Sequence, residues 1–389
     1  MNKPRLLFYC QHILGIGHLI RSMEIVRGLL TDFEVCFVNG GRVIEDFPIP
    51  AGVQVVNLPA IATDTEFQAL RAIDPNQDLD AVFAERTTTL VDLVDRFHPD
   101  VLVVELFPFG RRRFSTELVP CIESAKARGA KVVCSLRDIV VTKQDQARHE
   151  AKICRLMNQY FDLLLIHGDP AFQPLELSFS RVSDLHCPVV YTGYVVQAAA
   201  GAEAALPLVN PHRPLILTSV GGGRFGHELL FSVVAAAPYL THLPHQLLVF
   251  TGPFCPPDVI AALETQAAQH PNVTLQRYTP NLLAYMHRAD LSISMAGYNT
   301  TMNVLTSGVR AMVLPFTGND DQEQTLRAER LEELGIVRVI RPNDLSPEQL
   351  AQRMVDCLQR QPPMRSFDFQ GVAKTAAQLR ALTYPQVAV

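Results

Sequence analysis

The strongest constraint on the fold is an alternation of short apolar runs and amphipathic segments that occurs twice along the chain. Arg5–Cys10 and Glu34–Asn39 are apolar runs of strand length, and His18–Leu30 between them has helical spacing. Strands linked by helices predict a parallel sheet with right-handed crossovers. The rhythm restarts at Leu215–Ser219. We therefore predict an α/β protein built from two doubly wound domains.

The other predicted strands extend this pattern through both halves. A polar, poorly periodic stretch at 64–80 is expected to be a long connection, and 81–97 to be a helix. The remaining predicted strands are Gln54–Leu58, Asp100–Glu105, Lys131–Ser135, Phe161–His167, Val189–Tyr194, Gln246–Thr251, Val273–Arg277, Leu291–Ser294 and Val309–Pro315.

The domain boundary is expected near residue 200, where the apolar periodicity stops. Residues 197–206 are rich in alanine and 207–214 are punctuated by proline, which is typical of a linker. The predicted domains are 1–196 and 207–365, followed by a C-terminal segment at 366–389.

Composition excludes several classes of function. The net charge is −5, so nothing points to nucleic acid as a partner. The eight cysteines are scattered without a C-x-x-C pair, which indicates neither a metal site nor a redox motif and fits a reducing cytoplasm. No signal peptide and no apolar stretch of about 18 residues is expected. A cytoplasmic location is predicted.

Residues 294–335 contain the densest set of candidate binding residues. Asn299, Thr300 and Thr301 are cap-type side chains before a helix predicted at Met302–Ser307, after a turn at Gly297. The N-terminus of such a helix can bind an anion, most often phosphate. A polar loop at 317–324 and a helix at 328–335 follow.

These residues carry a family resemblance. Gly297-Tyr-Asn-Thr-Thr, a strand ending in Pro315, and Glu323-Gln324-x-x-Arg327-Ala328 resemble the donor half of GT-B glycosyltransferases. The type resembled is the peptidoglycan N-acetylglucosaminyltransferase, within a group of bacterial predicted glycosyltransferases. The resemblance implies two Rossmann-like domains facing a cleft, with the acceptor bound by the first and the donor by the second. It also implies that residues 366–389 pack back on the first domain, and that the protein contacts the inner membrane face peripherally.

The first candidate site is the glycine loop before the first helix. Gly15 and Gly17 allow close backbone approach by an acceptor or a phosphate, but the spacing is not the G-x-G-x-x-G of a dinucleotide site. The resemblance puts a histidine of this loop in the cleft, so His18 is a candidate general base. The alternative is that His18 caps its helix or binds a phosphate or the acceptor.

Charged residues at the ends of two predicted strands are further candidates. Glu105 and Asp138 are alternative bases, and Arg137 can bind an acceptor or a phosphate, because open α/β sheets bind ligands at these ends. Ion pairing with nearby arginines is the structural alternative for both carboxylates. The run Arg111–Arg113 either binds an anionic acceptor or a lipid phosphate, or is a solvated basic loop.

A second glycine loop opens the second domain. Gly221, Gly222 and Gly223 follow a strand and precede a helix, which is typical of a phosphate cradle, and Arg224 can supply charge to a leaving diphosphate. By resemblance, Tyr278 and Thr279 cover the nucleotide base. The alternative for Tyr278 is packing at a strand end.

The resemblance also assigns residues to the ribose and the donor sugar. Asn303 stands where the family often has a glutamate that binds the ribose hydroxyls, and an amide is the weaker acceptor there. Glu323 and Gln324, with Gln322 beside them, match the pair that holds the sugar. No D-x-D pair stands where a metal would be needed, and Asp320-Asp321 belongs to the sugar-side loop.

The sequence thus predicts an inverting, metal-independent hexosyl- or N-acetylhexosaminyltransferase. Its co-substrate is a nucleotide diphosphate sugar, with uridine favoured, and no further cofactor is expected. The acceptor is a hydroxyl on a small or lipid-linked molecule. A nucleotide-sugar 2-epimerase and a non-enzymatic nucleotide-sugar sensor are the alternatives.

Overall fold

The computed structural model describes residues 3–13, 15–45, 47–63, 69–74, 76–141, 145–197, 206–318, 322–363 and 365–383. Contacts divide the chain into two compact units. The first comprises Met1–Leu14, His18–Val196 and Phe367–Val389, and the second comprises Gly15–Gly17 and Gln197–Ser366.

The first unit contains a seven-stranded parallel sheet in the order β3-β2-β1-β6-β7-β8-β9, with a separate antiparallel pair, β4-β5. Its strands are β1 (Arg5–Cys10), β2 (Glu34–Asn39), β3 (Gln54–Asn57), β4 (Ile61–Thr63), β5 (Leu70–Ala72), β6 (Val101–Glu105), β7 (Lys131–Arg137), β8 (Leu163–His167) and β9 (Val189–Tyr191). Its helices are α1 (Gly17–Leu29), α2 (Leu79–Phe97), α3 (Ser115–Ala127), α4 (Gln146–Tyr160) and, from the end of the chain, α11 (Gly371–Thr383).

The two faces of this sheet are covered by different helices. Apolar side chains of α2, α3 and α4 form one core with alternate residues of β1 and β6, and those of α1 and α11 form a second core on the other face. Because both faces are covered, the central strands are near-continuous apolar runs. From α11, Ala376 and Leu379 enter the second core. The C-terminal helix therefore packs within the first unit.

The second unit contains a six-stranded parallel sheet in the order β12-β11-β10-β13-β14-β15. Its strands are β10 (Leu215–Ser219), β11 (Gln246–Phe250), β12 (Val273–Gln276), β13 (Leu291–Met295), β14 (Ala311–Leu314) and β15 (Val337–Val339). Its helices are α5 (His227–Ala236), α6 (Pro257–Ala267), α7 (Leu282–Arg288), α8 (Tyr298–Ser307), α9 (Glu323–Glu333) and α10 (Pro347–Leu358).

Several sequence-based element boundaries were wrong. Helix α8 begins at Tyr298, four residues before the prediction, so Asn299, Thr300 and Thr301 lie in its first turn rather than at its cap. Helix α9 begins at Glu323 rather than 328, because residues 323–327 already place Glu323 and Arg327 on one buried face. The expected connection at 64–80 contains β5 and the start of α2.

Some predictions fall on residues that the structure does not describe. Asp320-Asp321 and most of the predicted linker, residues 198–205, lie outside the described ranges. Among the residues that are described, no helix has both the length and the apolar character to cross a membrane.

Candidate functional site

In the second unit, the candidate donor residues follow the carboxyl ends of its parallel strands. From β10 the sheet continues to β11 and β12 on one side, and from β13 it continues to β14 and β15 on the other. The gap between the adjacent strands β10 and β13 is therefore the topological switch point of the sheet. Open α/β sheets bind ligands at this position. Gly221–Gly223 follow β10, and Gly297 follows β13. The fold thus brings the two predicted phosphate-binding turns to adjacent strand ends.

The glycines of the loop after β10, Gly221–Gly223, have different structural roles. Gly223 has φ +83°, and a Cβ there would lie 2.3 Å from the Thr251 carbonyl oxygen, so the fold itself requires glycine. At Gly222 the backbone is ordinary, and the nearest atoms to an added Cβ are at 3.6 Å. The loop is fixed from outside by His227, whose Nε2 is 2.8 Å from the Gly223 carbonyl oxygen. Gly221 has open space at its Cβ position but φ +64°, which favours glycine, so Gly222 is the loop glycine that neither packing nor backbone angle demands.

Gly297 is also not explained by the fold. It is the N-cap of α8 with φ −65°, and an added Cβ would find no heavy atom within 4 Å. Glycine at an N-cap leaves the first backbone N–H groups of the helix accessible, and no side chain accepts a hydrogen bond at this cap. The residue types at Gly222 and Gly297 both leave room for a ligand to approach the backbone.

Arg224 and Tyr278 lie at the rim of the same sheet edge. The Arg224 guanidinium is stacked 5.3 Å from the ring centroid of Phe254. Tyr278 is 36% exposed, which is unusual for so large a side chain. Thr279 accepts a hydrogen bond from the Asn281 backbone N–H at 3.1 Å. An exposed aromatic ring at a strand end is suited to stacking on a base.

Asn303 is buried rather than presented to solvent. Only 3% of it is exposed, and its Nδ2 donates to Gln197 Oε1 at 3.1 Å. The residue predicted to bind the ribose thus has its amide nitrogen engaged within the second unit.

The predicted sugar-binding residues lie at the start of α9. Gln322 is its exposed N-cap residue, and Gln324 uses its Oε1 to accept the Phe316 backbone N–H at 3.1 Å. Glu323 is 4% exposed and forms an ion pair with the fully buried Arg327 at 2.9 Å. The Arg327 guanidinium also lies 5.6 Å from the Tyr298 ring centroid.

From the sequence, Arg327 was named only as part of the family motif, and its contacts with Glu323 and Tyr298 were not predicted. The signal for it is the i, i+4 spacing from Glu323 within one helix.

In the first unit, three charged or titratable residues meet at the switch point between β1 and β6. His18 and Arg21 are on α1, and Glu105 is the last residue of β6. His18 Nδ1 is 2.7 Å from Glu105 Oε1, and Arg21 Nη2 donates to the same oxygen. The sequence treated Glu105 and His18 as alternative bases, but the structure makes them hydrogen-bonded partners. Arg21 was missed, although its i, i+3 spacing from His18 places it on the same helix face.

The electrostatics of this cluster favour a neutral imidazole. Burial lowers the pKa of His18 to about 4, against the opposing effect of the Glu105 carboxylate. Burial alone would raise the pKa of Glu105, but the neighbouring His18 and Arg21 outweigh it and hold the pKa at about 2. At neutral pH the cluster therefore contains a carboxylate, a guanidinium and an uncharged imidazole. With Nδ1–H donating to Glu105, Nε2 of His18 is the ring nitrogen that can accept a proton.

The other residues predicted for the first domain fall in both units. Gly15 and Gly17 belong to the second unit; Gly15 has open space at its Cβ position, and Gly17 begins α1. Arg137 ends β7 and is partly exposed, whereas Asp138 after it is fully buried.

The basic run after β6 is only partly solvated. Arg111 has φ +56° and its Nε donates to the Gln11 carbonyl oxygen at 3.0 Å. Arg112 Nη2 is 2.5 Å from His149 Nδ1, and Arg113 is exposed. Burial lowers the pKa of Arg111, and the nearby positive charge of Arg137 adds to the effect. This loop and Arg137 give the first unit a basic edge beside His18.

Comparison with known proteins finds similarity over part of the chain. Residues 219–377 match the glycosyltransferase family 28 C-terminal domain. In Prochlorococcus marinus (strain NATL1A), the UDP-N-acetylglucosamine–N-acetylmuramyl-(pentapeptide) pyrophosphoryl-undecaprenol N-acetylglucosamine transferase is 23% identical over 226 residues, 58% of each protein. The chain thus spans little more than half the length of the curated relatives it matches, with 52% for the next two.

Solved structures resemble the chain over its whole length. The calicheamicin glycosyltransferase CalG4 has a TM-score of 0.62 at 18% identity, with 100% of both chains covered. MurG of Acinetobacter baumannii has a TM-score of 0.55 at 16% identity, covering 98% of this chain and 99% of that one. The fold is therefore the GT-B fold with two Rossmann-like domains, as the sequence predicted.

Proposed function

We propose that this chain transfers a sugar from a nucleoside diphosphate sugar to an acceptor hydroxyl, because it has the GT-B fold and its residues 219–377 match the glycosyltransferase family 28 C-terminal domain. The observation that carries the proposal is the pair of turns at Gly222 and Gly297, where neither packing nor backbone angle demands glycine. Backbone N–H groups left open at a helix N-terminus bind phosphate oxygens. The family match covers these same residues.

The donor is proposed to bind the second unit. The diphosphate would lie against Gly222 and the N-terminus of α8, with Arg224 beside it and the base on Tyr278. The sugar would be held by Glu323 and its neighbours. The curated relatives are named for UDP-N-acetylglucosamine, which favours a UDP-hexose or UDP-N-acetylhexosamine here.

The acceptor is proposed to bind the first unit beside His18. Its hydroxyl proton passes to Nε2 of His18, and the oxygen attacks the anomeric carbon as the bond to the diphosphate breaks. The diphosphate leaves with the electron pair and is stabilised by helix N–H groups and Arg224. A single displacement of this kind inverts the anomeric configuration. No divalent metal is assigned a role, because these groups supply the positive charge that a metal otherwise supplies.

The chemical class of the acceptor follows from the basic edge. Arg111 and Arg137 suit an acceptor with an anionic group, and the relatives are named for a pyrophosphoryl-undecaprenol acceptor. A lipid-linked acceptor would bring the protein to a membrane surface as a peripheral enzyme.

The function is tested by incubating the protein with labelled UDP-, GDP-, ADP- and dTDP-sugars, with and without hydroxyl acceptors, in the presence of EDTA. We expect acceptor-dependent transfer of inverted configuration, insensitive to the chelator. A change in the sugar without an acceptor would indicate the 2-epimerase instead. Binding without turnover would indicate a sensor, and loss of activity in EDTA restored by magnesium would contradict metal independence.

Gly222→Val tests the donor site. The added Cβ meets no atom closer than 3.6 Å in the free protein, and the side chain occupies the volume assigned to the diphosphate, so we expect nucleoside diphosphate affinity to fall by at least about tenfold, or 1.4 kcal/mol. The measurement is a thermal shift with UDP, which stabilises by about 2.7 kcal/mol at a hundredfold excess over Kd.

The matched control is Gly308→Ala at the opposite end of α8. Gly308 has φ +67°, so alanine there strains the helix end without touching the donor turns. We expect lower stability but unchanged UDP affinity. Unchanged affinity in folded Gly222→Val would remove Gly222 from the donor site.

A further inference from the structure

The cluster around Glu105 contains a histidine, a carboxylate and, in addition, the guanidinium of Arg21. Glu105 has no exposed side-chain surface, and Arg21 is only 2% exposed. Both His18 Nδ1 and Arg21 Nη2 are directed at the same oxygen, Oε1. A buried carboxylate requires a compensating positive charge, and breaking such a pair is costly. Two groups hydrogen-bonded to Glu105 can provide it, the permanent cation Arg21 and the titratable imidazole of His18, and Arg111 acts at longer range.

Which group provides the charge decides whether His18 can act as a base. If His18 carried it, the imidazole would be protonated and could accept no proton from an acceptor. A guanidinium stays charged throughout the working pH range. Because Arg21 already neutralises Glu105, the imidazole is free to remain uncharged and to use its Nδ1–H to donate to the carboxylate.

We propose that Arg21 is a positioning residue that neutralises Glu105 and thereby keeps His18 in the uncharged form needed to take the acceptor proton. The proposal rests on the proposed function for the meaning of that proton transfer, but not for the electrostatic assignment. Burial is the main cause that lowers the pKa of His18, and the positive charges of Arg111 and Arg21 add to it.

Other charged or titratable groups surround the cluster and do not replace Arg21. Within the described part of the chain, His18 and Arg21 form hydrogen bonds with the Glu105 carboxylate. The groups that act at longer range come from β1 and its loop, from the loop after β6, and from the ends of β7 and β8: Cys10, His12, Arg111, Arg137 and His167.

The test is the pH titration of His18, followed by NMR in protein with labelled histidine and assigned by its absence in His18→Gln. In the wild type we expect titration well below pH 6.5. In Arg21→Met the titration should move up by about 1–3 pH units, the effect of an opposite or like charge at 4–6 Å. In Arg21→Lys, which keeps the charge, it should stay low.

Turnover provides a second readout. In Arg21→Met we expect the acid limb of the turnover profile to move up with the His18 titration, by about 1–3 pH units, so that turnover lost at acidic pH recovers as the pH rises and His18 loses its proton again. A purely structural defect would not recover with pH. The control is Arg27→Met on the same helix, where Arg27 is 44% exposed and 3.5 Å from Glu24. This control should change neither the titration nor turnover.

The outcomes separate the two proposals. A His18 titration at or above pH 6.5 in the wild type overturns the role of Arg21 even if Arg21→Met fails to fold. An unchanged titration in folded Arg21→Met overturns it as well. Absence of turnover in a wild-type protein whose His18 titrates low would instead count against the proposed transferase function.

Discussion

Replacing His18 with alanine is expected to lower turnover by about 10²–10⁴-fold, the usual contribution of a general base. The imidazole is the group in the Glu105 cluster that can accept a proton at neutral pH, and alanine removes it. His18→Gln should be equally slow, because an amide keeps a hydrogen bond to Glu105 but cannot take the proton. Donor affinity should be unchanged in both variants, since the donor residues belong to the second unit.

The measurement is turnover under donor saturation together with UDP affinity by thermal shift. His186→Ala, at an exposed histidine of the first unit, is the control and should retain full activity. Lower UDP affinity in His18→Ala, with partial recovery in His18→Gln, would indicate a phosphate-binding histidine. Near-normal turnover in both would move the base elsewhere, with Asp138 the next candidate.

The pH profile provides an independent check on the same residue. The pKa of His18 is lowered to about 4, so the neutral base persists as the pH falls below 6.5 and is lost only near pH 4. Turnover should therefore hold on the acid side well below the value for an ordinary histidine. A fall in turnover centred near pH 6.5 on the acid side of the profile would contradict the burial of His18 beside Arg21.

Replacing Arg86 with methionine is expected to destabilise the first unit by about 3–5 kcal/mol, the cost of breaking a buried ion pair. Arg86 is fully buried in α2, and its guanidinium bonds both oxygens of Glu117 in α3, at 2.6 and 2.7 Å. It also donates to Gln11 Oε1 and to the carbonyl oxygens of Gly40 and Pro59. One side chain of α2 thus satisfies groups from helix α3 and from three loops.

Glu117→Gln should be destabilising for the complementary reason. The amide leaves the Arg86 charge buried without a counter-charge, and Glu117 also accepts the Tyr9 hydroxyl at 2.5 Å. Urea unfolding followed by circular dichroism measures both variants. Arg330→Ala is the control, because its ion pair with Glu333 is largely exposed and is expected to contribute less than about 1 kcal/mol. Equal effects for Arg86 and Arg330 would contradict a structural role for the buried network.

The fold was largely predictable because its signals are local. Arg5–Cys10, Glu34–Asn39 and Leu215–Ser219 have the bounds predicted from their apolar runs, since strands covered on both faces need such runs. Boundaries failed where local cues pointed elsewhere. Asn299–Thr301 have the residue types of a cap, but α8 begins at Tyr298, whose ring packs under the Arg327 guanidinium.

The sequence by itself determined two parallel α/β units and the positions of the glycine turns, because strand periodicity and turn chemistry depend on near neighbours. Only the tertiary structure decided which glycines the fold requires, since Gly223 meets the Thr251 carbonyl oxygen while Gly297 faces open space. It also decided that Glu105 is a partner of His18 rather than its rival. Glu105 and His18 are 87 positions apart in the chain, and the adjacent parallel strands β1 and β6 bring them together. No local sequence pattern encodes this contact.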